Sequence, residues 1–154
     1  MGLLMATWAE MEALSPPVAR LGRKLLVAKG RGFLATVRAD GGPRVQAICP
    51  ALWDGRLYAG IIKATPKYAD LIRDQRFALH APLAEGDTEF WITGVAQVVT
   101  DAETEKMMAA NPSWEMPVVN GMFHLDIHTA HGTIFQPGPG NQPIPDRRSF
   151  RVKS

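Results

Sequence analysis

Residues 33–62 read FLATVRADGGPRVQAICPALWDGRLYAGII, and this stretch decides the fold. From Phe33 onward the side chains alternate with a period of two, which is the pattern of a β-strand. The Asp-Gly steps at 40–41 and 54–55 are strong turn signals between strands. Both connections are too short for a parallel crossover, so the strands must pair antiparallel. The predicted strands span 33–39, 44–53 and 56–62.

Capping signals predict the helices. Thr7 with Glu10 and Thr100 with Glu103 have the spacing of a capping box. Thr65 precedes a proline, which is typical of an N-cap followed by the first helical position. Four helices are predicted. Two lie within 1–30 and are separated at Pro16-Pro17, and a third ends near Asp74 and buries Tyr68, Leu71 and Ile72. The fourth begins after Thr100 and runs to about Ala110.

The remaining apolar runs complete an antiparallel sheet. After Gln136 the prolines and glycines of PGPGNQPIP predict a loop or arm, because they remove backbone donors and add freedom. Six or seven antiparallel strands with few helices predict a mainly β fold that closes into a barrel, with an open α+β sheet as the alternative. The further strands are predicted at 76–83 and 88–99, and at 122–129 and 132–136 as a hairpin. We expect one domain over 1–154, with helices in 1–30, the barrel in 33–136, and an arm with a basic tail in 137–154.

The amino-acid composition indicates which partners the protein is expected to bind and where it is expected to reside. The chain has 154 residues, 46% hydrophobic and 21% charged, as is usual for a soluble domain. Its 17 basic and 15 acidic residues give a net charge of +2, too small a field to favour nucleic acid. The single cysteine, Cys49, fits a reducing compartment and is expected to be an inert apolar residue within a strand. Without a signal-like or membrane-spanning run, we expect a cytoplasmic protein that is not bound to a membrane.

The most informative site signal lies where a predicted strand meets a predicted helix. Lys63, Thr65 and Lys67 place two ammonium groups and a hydroxyl at a helix N-terminus. Free backbone N–H groups and the positive end of the helix dipole suit a phosphate monoester there. The alternative is that Thr65 only caps the helix and both lysines lie in solvent.

Four motifs in order carry a resemblance to a known family. They are a Gly-x-Pro turn, an Asp-Gly step before the third strand, a Thr-x-Lys step opening a helix, and an Arg-Asp-x-Arg-hydrophobic strand. In this chain they lie within FLATVRADGGPRVQAI, DGRLYAGI and TPKYADLIRDQRFALH, followed by EFWITGVAQVV, and together cover about 33–99. This order resembles the split-barrel flavoproteins related to pyridoxamine 5'-phosphate oxidase.

The resemblance implies a split β-barrel that binds FMN between the two subunits of a homodimer. Hydride or electron transfer with a small-molecule substrate would occur at the flavin ring, so no catalytic side chain is assigned. The implied cofactor residues are Lys63, Thr65 and Lys67 at the phosphate, Gly60 and Ile61 along the ribityl chain, and Val45, Gln46 and Ala47 at the ring edge. A deazaflavin cofactor, haem, or flavin binding without turnover are the alternatives. The oxidase's Arg-x-His motif and Arg-Leu-x-Pro tail are absent, so oxidation of the vitamin itself is not expected.

Two further groups of residues permit other interpretations. His124, Asp126 and His128 lie on one face of a predicted strand, with His131 at the following turn. Imidazole and carboxylate ligands suit zinc or iron, but the same alternation is typical of a half-exposed strand. The aromatic residues Trp91, Trp114 and Phe123 are candidates for ring stacking or an interface, and otherwise for the core.

Overall fold

Eight antiparallel β-strands form one sheet that curls into a split barrel, with helices packed around it. The structure is a computed structural model that describes residues 4–114 and 120–153. The strands are β1 (Gly32–Val37), β2 (Pro43–Ile48), β3 (Pro50–Trp53), β4 (Arg56–Ile62), β5 (Arg76–His80), β6 (Glu89–Val98), β7 (Asn120–Gln136) and β8 (Ile144–Arg151). The helices are α1 (Trp8–Leu14), α2 (Pro16–Gly22) with a π-helical extension (Arg23–Val27), α3 (Pro66–Arg73) and α4 (Asp101–Ala110). The prediction of a mainly β, antiparallel fold is confirmed.

The strand predicted at 44–53 is in fact two strands. Ile48 ends β2 opposite Gly32 of β1, whereas Pro50 begins β3 opposite Ala59 of β4. The two strands lie at opposite ends of the sheet order β2-β1-β5-β6-β7-β4-β3, so the chain step between them brings those ends together. Cys49 occupies this step and is exposed, contrary to the prediction that it lies within a strand.

The hairpin predicted at 122–129 and 132–136 is also wrong, because β7 is one continuous strand. The turn expected at 130–131 is instead strand, since Ala130 and His131 pair with Ile92 and Trp91 of β6 and Gly132 with Phe90. A Cβ atom at Gly132 would lie 2.6 Å from the side chain of Leu21. Gly132 does not form a turn. Its missing side chain allows α2 to pack closely on β7.

The arm predicted for 137–154 contains the last strand of the sheet. β8 pairs with the second half of β7 from Gln136 opposite Ile144 to Thr129 opposite Arg151. Phe150 is buried against the core, while the arginines of this strand are exposed. The basic tail is thus the edge of the barrel, and the barrel extends beyond the predicted boundary at residue 136.

The predicted N-cap positions are those of the structure, although only the capping box at Thr7 has both of its hydrogen bonds and Thr65 makes no side-chain cap bond. Thr7 and Glu10 form a reciprocal capping box, and the Thr100 hydroxyl accepts a hydrogen bond from the backbone N–H of Glu103. Thr65 is the N-cap of α3, which ends before Asp74. One detail of α3 differs: Ile72, predicted to be buried, is exposed, and Asp70 and Leu71 are buried.

Two apolar clusters fill the protein. The larger lies inside the barrel and joins the inner faces of the strands to α1, α2 and α3. The smaller lies outside the barrel wall, under α4, and contains Tyr58, Val99, Met107 and Met122 with Trp53, Met108 and Trp114 at its border. No helix among the described residues is both long and apolar enough to cross a membrane.

Candidate functional site

A cavity of about 470 Å³ lies on the outside of the barrel, beside the smaller apolar cluster. Its walls come from the step between β2 and β3, from the end of β4, from the first turn of α3, and from the start of β7. Small-molecule sites typically have volumes of about 300–1,000 Å³. The lining residues are Ala47, Ile48, Cys49, Pro50, Ala51, Tyr58, Gly60, Ile61, Ile62, Lys67, Trp114, Asn120 and Met122.

One end of the cavity carries a positive charge. The ammonium of Lys67 donates a hydrogen bond to the carbonyl oxygen of Ala47 at 2.9 Å, which holds the side chain across the opening between α3 and β2. A lysine ammonium has three donors, so two remain for another acceptor. The N-terminus of α3 adds the positive end of its dipole. It offers few free backbone donors, because Pro66 has no N–H and the N–H groups of Thr65 and Tyr68 donate to Ile62 and Thr65. This end of the cavity therefore favours an anionic group.

The helix that carries Lys67 is anchored by a buried carboxylate. Asp70 accepts hydrogen bonds from the Thr36 hydroxyl at 2.8 Å and from Arg44 at 2.7 Å, and Arg73 also contacts it at 3.2 Å. Burial of the carboxyl raises its pKa, but hydrogen bonds from Arg44, Thr36 and Arg73 outweigh burial and leave the pKa of Asp70 lowered. These bonds fix α3 against β1 and β2, and with it the position of Lys67.

The structure brings together half of the residues predicted at the cofactor. Ala47, Gly60, Ile61 and Lys67 all line the cavity. Of the other four, Lys63 is exposed, and the Thr65 hydroxyl donates to the carbonyl oxygen of Ile62 at 2.7 Å. Val45, two residues before Ala47 on β2, is 63% exposed and does not line the cavity, while the side-chain oxygen of Gln46 is buried without a hydrogen-bond partner among the described residues.

The opposite wall of the cavity consists of Tyr58 on β4, Met122 and Asn120 on β7, and Trp114 after α4. Only Trp114 was among the residues that the sequence singled out, as a candidate for ring stacking or an interface. Tyr58 lies two residues before Gly60 on the same strand, so the period of two places it on the same face and was a usable signal. The β7 residues reach the cavity through the pairing of Gly60 with Met122 and Ile62 with Asn120, and nothing local in the sequence indicates that pairing.

A buried polar network lies behind this wall. The Tyr58 hydroxyl donates to Oε1 of Glu103 at 3.2 Å, and Nε2 of His124 lies 2.9 Å from the same oxygen. Burial, followed by the nearby Glu103 carboxylate, raises the pKa of Tyr58 to about 12. Burial, followed by the Arg56 guanidinium, lowers the pKa of His124, although Glu103 and Asp126 act in the other direction. At neutral pH, Tyr58 is therefore a neutral phenol and His124 a neutral imidazole.

The residues of the metal interpretation are engaged with other partners. Asp126 pairs with Arg56 at 3.2 Å, and Nε2 of His128 lies 3.3 Å from an Arg151 nitrogen. His131 lies within β7, not at a turn, and stacks on Trp91 with ring centroids 4.1 Å apart. In the part of the chain that the structure describes, no three His, Cys, Asp or Glu side chains are placed to hold a metal ion.

The three aromatic candidates have different surroundings. Phe123 is fully buried in the larger apolar cluster, so its interpretation as a core residue is confirmed. Trp114 lines the cavity, and Trp91 lies on the outer face of the sheet. Trp114 and Trp91 thus remain available to a ligand or a partner.

Comparison with known proteins supports the fold and leaves the family open. No protein-family model matches the chain, and no curated protein matches it by sequence. Among solved structures, the chain is similar to PhzG from Burkholderia lata 383 in complex with tetrahydrophenazine-1-carboxylic acid, with a TM-score of 0.63, 11% identity, and coverage of 94% of this chain and 93% of that one.

Two further structures extend this likeness. A heme binding protein from Mycobacterium smegmatis has a TM-score of 0.60 and 18% identity, covering 85% of this chain and 57% of that one. An F420 reductase has a TM-score of 0.55 and 23% identity, covering 70% of this chain and 94% of that one. Identities this low show the fold alone. The chain therefore has the split-barrel fold of pyridoxamine-oxidase-like proteins.

Proposed function

We propose that the chain binds a flavin-type cofactor, FMN, in this cavity and takes part in electron or hydride transfer. The single observation that carries the proposal is the polarity of the cavity: Lys67 and the N-terminus of α3 lie at one end, and aromatic and apolar side chains line the other. FMN has the same polarity, with a phosphate at one end and a planar ring at the other. The cavity volume is also in the range of small-molecule sites.

The roles of the residues follow from their positions. Lys67, with the α3 N-terminus, would hold the phosphate, and Lys63 and Thr65 lie beside it at the same helix start. Gly60 and Ile61 would lie along the ribityl chain. The resemblance assigns Ala47 with Val45 and Gln46 to the ring edge, but the carbonyl oxygen of Ala47 accepts from Lys67, so Ala47 lies at the phosphate end and the ring would contact the opposite wall. When bound, the flavin ring supplies the redox chemistry. The residues of the chain bind it, orient it and exclude water.

A deazaflavin cofactor is the second candidate, since its phosphate chemistry would suit the same cationic end. The likeness to an F420 reductase favours testing it. Haem is supported by the likeness to a heme binding protein. Against haem, none of the described histidines is among the residues that line the cavity, and the nearby His124 is buried 2.9 Å from Glu103. Flavin binding without turnover would use the same contacts.

An absorption spectrum of the purified protein tests the proposal. The spectrum is recorded before and after addition of FMN, with unbound ligand removed by gel filtration. We expect bands near about 370 and about 450 nm, which oxidised flavin itself carries. A Soret band would replace FMN with haem. A colourless protein that retains no FMN would contradict the FMN assignment and direct the same experiment to the deazaflavin.

We further propose that a second copy of the chain covers the outer sheet face and completes the site. On this face, cross-strand neighbours form largely apolar rows across β2, β1, β5 and β6, and Phe33 and Val45 are 50% and 63% exposed. Ala47 is paired with Phe33 in one row and also lines the cavity. A partner on this face would therefore lie at the cavity mouth. The rows comprise Ala47, Phe33, His80 and Trp91, and Val45, Ala35, Ala78 and Thr93.

A further inference from the structure

One carboxylate connects α4 to the barrel wall. Oε1 of Glu103 is the common partner of the Tyr58 hydroxyl at 3.2 Å and of Nε2 of His124 at 2.9 Å. Tyr58 on β4 and His124 on β7 are directly paired in the sheet, and their ring centroids are 4.8 Å apart. Both side chains are buried, whereas Glu103 is partly exposed. Glu103 thus reaches from the helix to two strands at once.

The position of α4 determines one wall of the cavity. Met107 is the buried residue of this helix, and it packs in the smaller apolar cluster with Tyr58 and Met122. Trp114 borders the same cluster through the turn that follows the helix. Tyr58, Met122 and Trp114 all line the cavity. Met107 and Met108 supply the apolar contacts of α4 with this cluster, and Glu103 supplies the polar contact to Tyr58 and His124.

We propose that Glu103 is a positioning residue, which fixes Tyr58 and the α4 wall so that the cavity is preformed for a planar aromatic ring. The identity of the ring rests on the proposed function, but the positioning of the wall does not. A wall held in place before binding spares the ligand the cost of ordering it. Loss of Glu103 should therefore weaken contacts at the ring end and leave the cationic end at Lys67 unchanged.

The charged surroundings determine the choice of variants. His124 is faced by Glu103 from α4, by Arg56 and Tyr58 from β4, and by Asp126 on its own strand. Glu103→Ala removes the acceptor and the charge. Glu103→Gln keeps an acceptor oxygen for the Tyr58 hydroxyl, so it should retain part of the affinity. Glu105→Ala is the matched control, because Glu105 is exposed on the same helix.

The test compares ligands that share only one end of FMN. Affinities for riboflavin and FMN are measured by quenching of flavin fluorescence, and inorganic phosphate by competition against FMN. We expect Glu103→Ala to raise the Kd of riboflavin and FMN by about tenfold, the effect of about one hydrogen bond to a charged group. Glu105→Ala should change neither, and the competition by phosphate should be the same in all variants. The inference would be overturned if Glu103→Ala changed the flavin affinities no more than Glu105→Ala does. It would also be overturned if Glu103→Ala weakened the binding of phosphate as much as that of riboflavin.

A measurement without ligand separates this inference from the proposed function. Near-UV circular dichroism reports the packing of Tyr58 with Trp53, whose ring centroids lie 6.1 Å apart. We expect Glu103→Ala and Tyr58→Phe to change this signal, and the double variant to change it no further than the larger single effect. Glu105→Ala should leave it as in the wild type. If the protein binds no flavin, a changed signal still supports the positioning role, and an unchanged signal refutes it.

Discussion

At the scale of single residues, Lys67 provides the sharpest prediction about the ligand. Its ammonium is held by Ala47 at the cavity with two donors to spare. Replacement by alanine should weaken FMN binding by about 1.5–3 kcal/mol, the range for a charge-assisted hydrogen bond. Riboflavin, which lacks the phosphate, should bind equally to both proteins. Isothermal titration with both ligands measures this, with Lys29→Ala, an exposed lysine after the π-helix, as control. Equal FMN affinity in wild type and Lys67→Ala would refute the phosphate assignment.

The buried His124 should make the free energy of unfolding depend on pH. Its pKa in the folded protein is below the usual value of 6.5, first because the imidazole is buried and then because Arg56 is near. The unfolded chain therefore takes up the proton at higher pH than the folded chain does. The stability contributed by neutral His124 is present above about pH 6.5 and is lost as the pH falls below it.

Urea unfolding at pH 7.5 and pH 5 measures this loss. The free energy of unfolding should decrease on acidification, and His124→Gln should reduce that decrease. The pKa of His131 is also lowered, by burial and then by Arg151. A double variant in which both His124 and His131 are replaced by Gln should therefore lose still less of its free energy of unfolding on acidification. An identical pH dependence in wild type and both variants would contradict the assignment.

At the scale of elements, α3 depends on its single buried carboxylate. Asp70→Asn would weaken the bonds from Thr36 and Arg44 and leave the partly buried Arg44 guanidinium poorly paired. We expect a loss of about 2–4 kcal/mol in the free energy of unfolding, together with weaker FMN binding because Lys67 moves with the helix. Asp146→Asn, which removes an exposed pair with Arg148, should cost about 1 kcal/mol or less. Chemical denaturation of the three proteins would show whether the two carboxylates differ in this way.

The elements that the sequence predicts correctly are those determined by neighbouring residues. The turns at the Asp-Gly steps and the caps at Thr7, Thr65 and Thr100 depend on local backbone chemistry. The elements that differ depend on contacts between distant parts of the chain. The turn predicted at 130–131 is replaced by the continuous strand β7, on which Leu21 packs at Gly132. The tail predicted to be an arm forms β8 only because it pairs with the second half of β7.

The same division applies to the candidate site. Lys67, Gly60 and Ile61 lie in a short stretch around the start of α3. The strand-to-helix signal selected Lys67, and the family resemblance selected Gly60 and Ile61. Asn120 and Met122 come from a strand that starts nearly sixty positions later and reach the cavity only through the register of β4 with β7. Since register is set by the packing of whole strands, no local pattern predicts their place.

At the scale of the whole molecule, the exposed apolar rows predict the state of assembly. A soluble monomer seldom exposes a large contiguous apolar surface. The exposed rows around Phe33 and Val45 reach the cavity at Ala47, which belongs to both. We expect sedimentation velocity to give the mass of two chains for the wild type and of one chain for Phe33→Asp, because a buried, unpaired carboxylate opposes the contact. Leu14→Asp, at an apolar position exposed on α1, should remain a dimer.

Dimer formation should also increase the affinity for FMN, because a partner that covers the cavity mouth adds contacts to the bound cofactor. Phe33→Asp should bind FMN more weakly than Leu14→Asp does, and wild-type affinity should fall when the protein is diluted below its dimer dissociation constant. Affinity that is independent of protein concentration, together with a monomeric wild type, would show that one chain forms the whole site. In that case the exposed rows around Phe33 and Val45 would require another partner.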